Sequence, residues 1–199
     1  MILRPMMASD VEAVVALQAL AFPPPFDPEY HWEASHLLAH LDRFADGQFV
    51  VEAAGEVIAS SSNMRISEPT WDRHGSWIDT VGGPNLENHD SLGSTLYGLD
   101  ISVHPDYRRQ GVGRLIYHAR FDYVRNRRLR RYGTACRIPD WSGQSLPQEV
   151  YVREVERGAL QDRTLSALLK YGMNLISVIH DYMPDPESGN AAALLEWAP

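Results

Sequence analysis

Residues 99–127 constrain the fold most, because a strand, a glycine-containing loop and a helix follow one another directly. Apolar and polar side chains alternate from Leu99 to Val103, which is typical of a half-buried strand, and Pro105 ends that strand. Beyond Gly113, apolar residues recur along one helical stripe: Val112, Leu115, Ile116, Ala119 and Tyr123. The helix is therefore expected to pack one face against a sheet.

The loop between this strand and helix has the features of a phosphate-binding site. Gly111 and Gly113 leave the first amide groups of the helix uncovered, so an anion can approach N–H groups that lack an intrahelical partner. The helix dipole favours an anion at the same place. Arg108 and Arg109 add guanidinium groups, which form forked hydrogen bonds with phosphate. A tight turn without a ligand is the simpler alternative.

Other phosphate-binding loops fit this segment poorly. A nucleotide triphosphatase loop needs Lys-Ser or Lys-Thr after a glycine, whereas Lys170 is the only lysine and lies far from these glycines. A dinucleotide-binding fold needs a third glycine, whose position Ile116 occupies, and an opening βαβ unit that is absent here.

The pattern V-x-P-x-x-R-x-x-G-x-G, from Val103 to Gly113, resembles motif A of the GNAT acetyltransferases. The resemblance implies acetyl-CoA as the acyl donor, with its pyrophosphate on the loop and its pantetheine arm on the strand. It also implies that a backbone N–H near Ser102 polarises the thioester carbonyl. It assigns cofactor-binding roles to Ile101, Ser102, Val103, Arg108, Arg109, Gln110, Gly111, Val112, Gly113 and Arg114.

A second, more specific resemblance covers roughly residues 70–199. The segments that carry it include Arg137-Ile-Pro-Asp-Trp, Tyr151-Val-Arg-Glu-Val-Glu-Arg-Gly and Asp181-Tyr-Met-Pro-Asp-Pro-Glu-Ser-Gly-Asn. They are similar to the GNAT domain that elsewhere precedes a carbon-nitrogen hydrolase domain. This chain ends at Pro199 without such a hydrolase, so the resemblance supports the fold more than any substrate.

Periodicity and turn residues predict the order β-α-α-β-β-insert-β-α-β-α-α-β-β. The predicted helices include one capped by Ser9 or Asp10, one over 28–44, one capped by Ser145 and one capped by Asp162. The predicted strands are 2–6, 48–54, 56–65, 99–103, 132–137, 174–182 and 191–197. Residues 67–95 lack periodicity and are predicted to form a long inserted loop.

We therefore expect residues 1–199 to form a single GNAT-like α/β (α+β) domain. The resemblance implies a mixed, mostly antiparallel central sheet of six to seven strands, with splayed central strands and flanking helices. The length of 199 residues and the hydrophobic content of 44% suit one sizeable core.

Charge and cysteine usage narrow the choice of partners and compartment. The net charge of −8 argues against nucleic-acid binding. The helix after Gly113 carries four arginines that are expected to fall mostly outside its apolar stripe: Arg114, Arg120, Arg125 and Arg127. Cys136 is the single cysteine, which excludes an internal disulfide and suits a reducing compartment. Neither a signal core nor an apolar run of membrane-spanning length occurs, so a cytoplasmic protein without membrane contact is expected.

The catalytic residues are less clear, because the sequence departs from the family here. An attacking amine must lose its proton to a base. Tyr97 stands where several GNAT enzymes have a glutamate, and a tyrosine is a poor base at neutral pH. Asp100 is therefore the candidate base, with a structural hydrogen bond as its alternative role. Three residues of the insert are rival candidates: Glu87, His89 and Asp90.

In the GNAT family a tyrosine usually acts as the general acid, and the matching position in this chain is Leu168. Tyr171 lies three residues later, which nearly restores the same helical face, so it is the candidate acid for the leaving thiolate. Packing in the core and protonation by water are the alternatives.

Two further patterns are weaker. His36 and His40 have the spacing of a zinc chelate, but no third ligand is evident, so no metal is expected. Cys136 is interpreted as a small buried residue rather than a nucleophile. Four tryptophans could line an acceptor pocket or pack in the core: Trp32, Trp71, Trp77 and Trp141.

The sequence thus predicts an acetyl-CoA-dependent N-acetyltransferase acting on a primary amine of a small molecule, protein or peptide. The alternative is a catalytically weak or inactive module that binds coenzyme A or an acyl-CoA. A homodimer built on the terminal strands is also considered.

Overall fold

The computed structural model describes residues 1–199, which form seven strands and seven helices. The strands are β1 Ile2–Pro5, β2 Phe49–Ala53, β3 Glu56–Ile66, β4 Thr95–Val103, β5 Arg131–Cys136, β6 Asn174–Ile179 and β7 Ala192–Trp197. The helices are α1 Val11–Ala21, α2 Ala34–Phe44, α3 Glu68–Asp72, α4 Trp77–Val81, α5 Val112–Arg127, α6 Gln148–Glu156 and α7 Leu165–Lys170. None of these helices has the length and apolar character needed to span a membrane.

All seven strands join one open sheet in the order β1-β2-β3-β4-β5-β7-β6. Only β4 and β5 are parallel, and their pairing covers just four residue pairs, from Thr95↔Arg131 to Gly98↔Thr134. Beyond Gly98 and Thr134 the two strands no longer pair. The sheet therefore opens into a cleft between the last residues of β4 and β5, as the predicted splayed strands require.

A β-bulge marks the point where β4 leaves β5. Ser62 pairs with Asp100 and Asn63 with Gly98, so Leu99 has no partner on β3. Such an extra residue bends the strand and disrupts its ladder locally. The bulge therefore lies at the same point of β4 at which the pairing with β5 stops.

Helices cover both faces of the sheet. The largest apolar cluster packs residues of α5, α6 and α7 against β5 and β7, with Phe121, Tyr151 and Leu165 among its buried members. On the other face, α1 and α2 pack through Val14 and Leu37 against β2. Each of these side chains stabilises the fold by about 1.5–3 kcal/mol relative to exposure. The cleft thus opens in a sheet that is held rigid from both sides.

The element order and the mixed, mostly antiparallel sheet are confirmed, and two local expectations are corrected. The second helix starts at Ala34 rather than residue 28, because Pro28–Tyr30 forms only a 3-10 turn. The insert 67–95 is not loop throughout, since Ser67 and Ser76 cap the short helices α3 and α4. Their caps lie next to apolar residues that join the core.

The sequence predicts helix caps at Ser145 and Asp162, and only Asp162 forms one. Ser145 does not cap α6, which begins at Gln148 directly after Pro147. Asp162 does cap α7, because its carboxylate accepts hydrogen bonds from the N–H groups of Thr164 and Leu165, at 2.8 Å each. The helix then ends before Gly172, which has φ +91°.

Candidate functional site

The loop before α5 presents a run of free backbone donors. None of the N–H groups of residues 109–114 donates a hydrogen bond within the chain, and the first helical bond runs from Leu115 to the carbonyl of Gly111 at 3.0 Å. Positive φ angles at Arg109 (+60°) and Gly111 (+86°) fold the loop so that these donors precede the helix. Together with the helix dipole, this cradle, residues 109–114, is suited to a pyrophosphate.

The two glycines serve the cradle in different ways. Gly111 adopts a left-handed conformation that other residues reach only at a cost of about 1–2 kcal/mol. Gly113 lies in the first turn of α5, and a Cβ placed there would lie 3.5 Å from the hydroxyl of Tyr171. Helical Cβ atoms tilt toward the N-terminus, so a side chain at 113 would lean over the free amides.

The side chains of the loop are less free than its backbone. The guanidinium of Arg108 donates to the carbonyls of Val103 (3.3 Å) and Ala21 (2.8 Å), which joins the loop to the end of α1. Gln110 donates to the Asp106 carbonyl at 2.6 Å. Arg114 contacts His118 at the surface. Arg109 is exposed and forms no hydrogen bond, so it is the guanidinium best placed to meet a phosphate.

The register of β4 decides which backbone groups face the cleft. The backbone N–H of His104 donates to the Ile58 carbonyl at 2.9 Å. Because every second residue of an antiparallel strand bonds to the same neighbour, the backbone of Ser102 also faces β3. The N–H and C=O groups of Ile101 and Val103 then point away from β3, toward the gap. These are the groups that the resemblance assigns to the pantetheine arm, an assignment that stays a prediction. The backbone N–H of Ser102 itself faces β3, so an N–H near Ser102 that is free for a thioester carbonyl belongs to Ile101 or Val103.

A cavity of about 430 Å³ fills the cleft between β4 and β5. Leu99–Ile101 and Thr134–Arg137 form its strand walls, and the last turn of α1, the start of α4 and the middle of α5 complete it. Its volume falls in the range of small-molecule sites.

Asp100 lines this cavity and is the carboxylate nearest the bulge. Its oxygens accept hydrogen bonds from the Ser62 N–H (3.1 Å), Gln18 Nε2 (3.1 Å) and Ser102 Oγ (3.2 Å). Gln18 also donates to Ser102 Oγ at 2.6 Å. These contacts fix the carboxylate in place while leaving it lone pairs for a further partner.

Arg120 lies under the bulge, fully buried, which corrects the expectation that it falls outside the packed face of α5. Its guanidinium donates to the carbonyls of Asp100 (2.7 Å) and Ser62 (3.4 Å) and to the Tyr132 hydroxyl (2.8 Å). Its Nε has no partner. The side chain thus donates hydrogen bonds to carbonyl groups at the bulge, where the regular strand pairing is interrupted. It also adds a positive charge to the wall of the cleft.

Two tyrosines named from the sequence have different surroundings. Tyr171 is half-buried, its ring lies 5.2 Å from that of Tyr117, and burial raises the pKa of its hydroxyl, which therefore stays protonated near neutral pH. Tyr97 is not at the cavity surface. Its hydroxyl bonds to that of Tyr182 at 3.0 Å inside an apolar cluster, and burial raises its pKa strongly. Tyr97 is therefore unsuited to accept a proton.

The rival bases of the insert lie away from the cavity. Glu87 is exposed, while Asp90 accepts a hydrogen bond from the Leu92 N–H at 2.8 Å. The ring of His89 stacks on Phe44 and accepts from the Arg65 N–H, and burial lowers its pKa. Of the candidate bases, the structure brings only Asp100 to the cleft.

The two histidines and the cysteine also have distinct positions. His40 is buried, bonds the Pro84 carbonyl at 2.7 Å and has a pKa lowered by burial, whereas His36 lines the cavity. The chain holds no group of three potential metal ligands. Cys136 is buried at the end of β5, and burial raises the pKa of its thiol well above its usual range, which disfavours a thiolate.

Sequence reasoning missed several residues of the site. Arg120 lies four residues after Ile116 and four before Val124, and this helical spacing is the signal that could have identified it as buried. Gln18 and the aromatic residues of the loop after α1 carry no comparable signal, because their role depends on tertiary contacts. Of the four tryptophans, Trp32 and Trp77 line the cavity.

Comparison with known proteins agrees with this geometry. The model of the acetyltransferase (GNAT) family matches residues 11–140. The uncharacterized N-acetyltransferase YkwB of Bacillus subtilis (strain 168) is 33% identical over 192 residues, covering 95% of this chain and 84% of that protein. The chain therefore belongs to the GNAT acetyltransferase family, whose members bind acetyl-CoA or another acyl-CoA.

Two further comparisons bear on length and fold. The probable hydrolase YhcX of the same organism is 32% identical over 200 residues, which cover 99% of this chain but only 38% of that protein. The GNAT-like decarboxylase GphF in complex with isobutyryl-CoA superposes with a TM-score of 0.85 at 24% identity, over 100% of this chain and 99% of that one. This likeness shows a shared fold.

Proposed function

We propose that the protein is an acetyl-CoA-dependent N-acetyltransferase that acylates a primary amine. The observation that carries this proposal is the cradle of free N–H groups at residues 109–114, which lies at the end of a strand whose backbone faces an open cleft. A pyrophosphate on the cradle and an extended arm along Ile101 and Val103 would bring a thioester to the bulge. The name of the relative YkwB supports the same reaction class.

When bound, acetyl-CoA supplies an acetyl group activated as a thioester. The cradle and Arg109 bind the phosphates, while Ile101 and Val103 hold the arm through backbone hydrogen bonds. An N–H of β4 facing the gap stabilises the negative charge that develops on the carbonyl oxygen. The positive charge of Arg120 beneath the bulge acts in the same direction.

Proton transfer is assigned to two side chains. Asp100, fixed by Gln18 and Ser62, accepts a proton from the substrate's ammonium group directly or through one water, and the neutral amine that results attacks the thioester. Tyr171, kept protonated by burial, supplies a proton to the departing sulfur. Its hydroxyl lies beside Gly113, and its ring lies 5.2 Å from that of Tyr117, which lines the cavity.

The test combines binding with turnover. Titration with acetyl-CoA in a calorimeter is expected to give a micromolar Kd, about −8 kcal/mol, and amines are then screened for release of free thiol. Binding with amine-dependent thiol release supports the transferase. Absence of acetyl-CoA binding contradicts the proposal.

A second candidate is an acyl-CoA-binding module with little or no catalysis. Two observations favour it: Asp100 already accepts three hydrogen bonds, and the chain matches only 38% of the longer relative named a probable hydrolase. Tight binding of acetyl-CoA without thiol release across the amine panel would support this function instead.

A further inference from the structure

The cavity has two halves that differ in chemistry. One half is lined by Tyr117 and Arg120 of α5, the helix that begins at the cradle. The opposite half lies between the α1–α2 connection and α4, and it is the acceptor half if the proposed function holds. The acceptor half is lined mainly by aromatic side chains: Phe22, Phe26, Tyr30, His31, Trp32 and Trp77.

The connection from Phe22 to His31, which we call the aromatic strap, closes the acceptor half on one side. The Phe26 ring stacks on His31 at 5.8 Å with an interplanar angle of 11° and lies 4.8 Å from the guanidinium of Arg137 at the end of β5. His31 Nε2 also contacts the Phe22 carbonyl at 3.1 Å. The strap thus reaches from α1 across the cleft to β5, which leaves room for a small molecule rather than for an extended polypeptide.

The charges of the acceptor half favour a cation. Asp100 and Glu29 both contribute carboxylates to its wall. The Arg137 guanidinium is neutralised, because Asp185 binds it through two hydrogen bonds of 2.7 Å and Glu187 adds a third at 2.9 Å. Arg120 is beneath β4, between the rings of Tyr117 and Tyr132.

We propose that the amine acceptor is a small arylalkylamine, a flat aromatic body that carries a primary ammonium group. This inference rests on the proposed function for the position of the acceptor half. The ring of the amine packs among Phe26, Trp32 and Trp77, because aromatic pairs stabilise each other beyond the area they bury. The ammonium is directed toward Asp100, the carboxylate that the mechanism uses as base.

Equilibrium binding tests the proposal independently of turnover. Calorimetry with and without coenzyme A compares 2-phenylethylamine with n-butylamine, 2-phenylethanol and a tetrapeptide with a free N-terminus. The arylalkylamine is expected to bind at least ten-fold more tightly than each of the other three. Equal or tighter binding of butylamine or the peptide would overturn the aromatic preference, and equal binding of the alcohol would overturn the charge preference.

A pair of variants locates the site. Phe26→Leu keeps an apolar side chain but removes the ring, and it is expected to weaken 2-phenylethylamine binding about five-fold while leaving the Kd of coenzyme A unchanged. Phe44→Leu, a phenylalanine outside the cavity that packs on His89 and Tyr123, is the matched control and is expected to change neither. Equal effects of the two variants would contradict the assignment.

Turnover separates this inference from the proposed function. Binding of the arylalkylamine without acetyl transfer would overturn the transferase and leave the binding preference standing. Acetylation of the tetrapeptide in preference to 2-phenylethylamine would support the transferase and overturn the arylalkylamine.

Discussion

Replacing Gly113 by Ala should stabilise the free protein and weaken acetyl-CoA binding at the same time. Gly113 lies in α5, where Ala is favoured over Gly by roughly 0.5–1 kcal/mol, and its φ is not positive. The nearest atom to the new Cβ is the Tyr171 hydroxyl at 3.5 Å, an ordinary contact, so no strain offsets the gain. For a chain of this size the melting temperature should rise by about 1–4 °C.

The same methyl group leans toward the N-terminus of the helix and covers the amides that would meet the pyrophosphate. We expect the affinity for acetyl-CoA to fall about ten-fold, which is about 1.4 kcal/mol. Thermal unfolding and calorimetric titration measure the two effects, with Gly143→Ala, an exposed site with open space around it, as the control. A Gly113→Ala variant that binds acetyl-CoA as tightly as the natural protein would refute the cradle.

Three other changes test separate parts of the account. Gly111→Ala places a Cβ at φ +86° without any steric contact, so it should destabilise the fold by about 1–2 kcal/mol in denaturant unfolding, and no loss would show that the loop rearranges. Asp100→Asn should lower kcat about 100-fold with acetyl-CoA affinity within two-fold of normal, whereas an unchanged kcat would exclude Asp100 as the base. Burial raises the pKa of Tyr97, Tyr117, Tyr132 and Tyr182, so the folded chain keeps phenol protons that the unfolded chain loses near pH 10. The free energy of unfolding should therefore fall as pH rises above 10, by up to about 1.4 kcal/mol per pH unit for each tyrosine, and a flat profile from pH 9 to 11 would contradict this.

The sequence predicted the donor side of the site well because that side consists of local structure. A strand, two glycines and a helix N-terminus within residues 99–127 define the cradle without reference to distant residues. The cleft itself required tertiary information. The pairing of β4 with β5 stops at Gly98 and Thr134, next to the bulge at Leu99, and neither feature has a signature in the sequence.

The acceptor side could not be predicted in the same way. The aromatic strap has no periodicity, and its position follows from contacts such as that of Phe26 with Arg137, which are far apart in the chain. Arg108 has the residue type of a phosphate ligand, yet it donates to the backbone of Val103 and Ala21. Residue type therefore indicated chemistry, whereas only the fold determined which partner each side chain met.

The central claim is that residues 109–114 bind the pyrophosphate of a coenzyme A thioester in line with the cleft. The most direct test titrates the natural protein in parallel with coenzyme A and with pantetheine, which lacks the phosphates and the adenosine, and with adenosine as a control for the nucleoside. The account predicts a micromolar Kd for coenzyme A, about −8 kcal/mol, and affinity for pantetheine at least 100-fold weaker. Equal affinity for coenzyme A and pantetheine, or binding of neither, would contradict it.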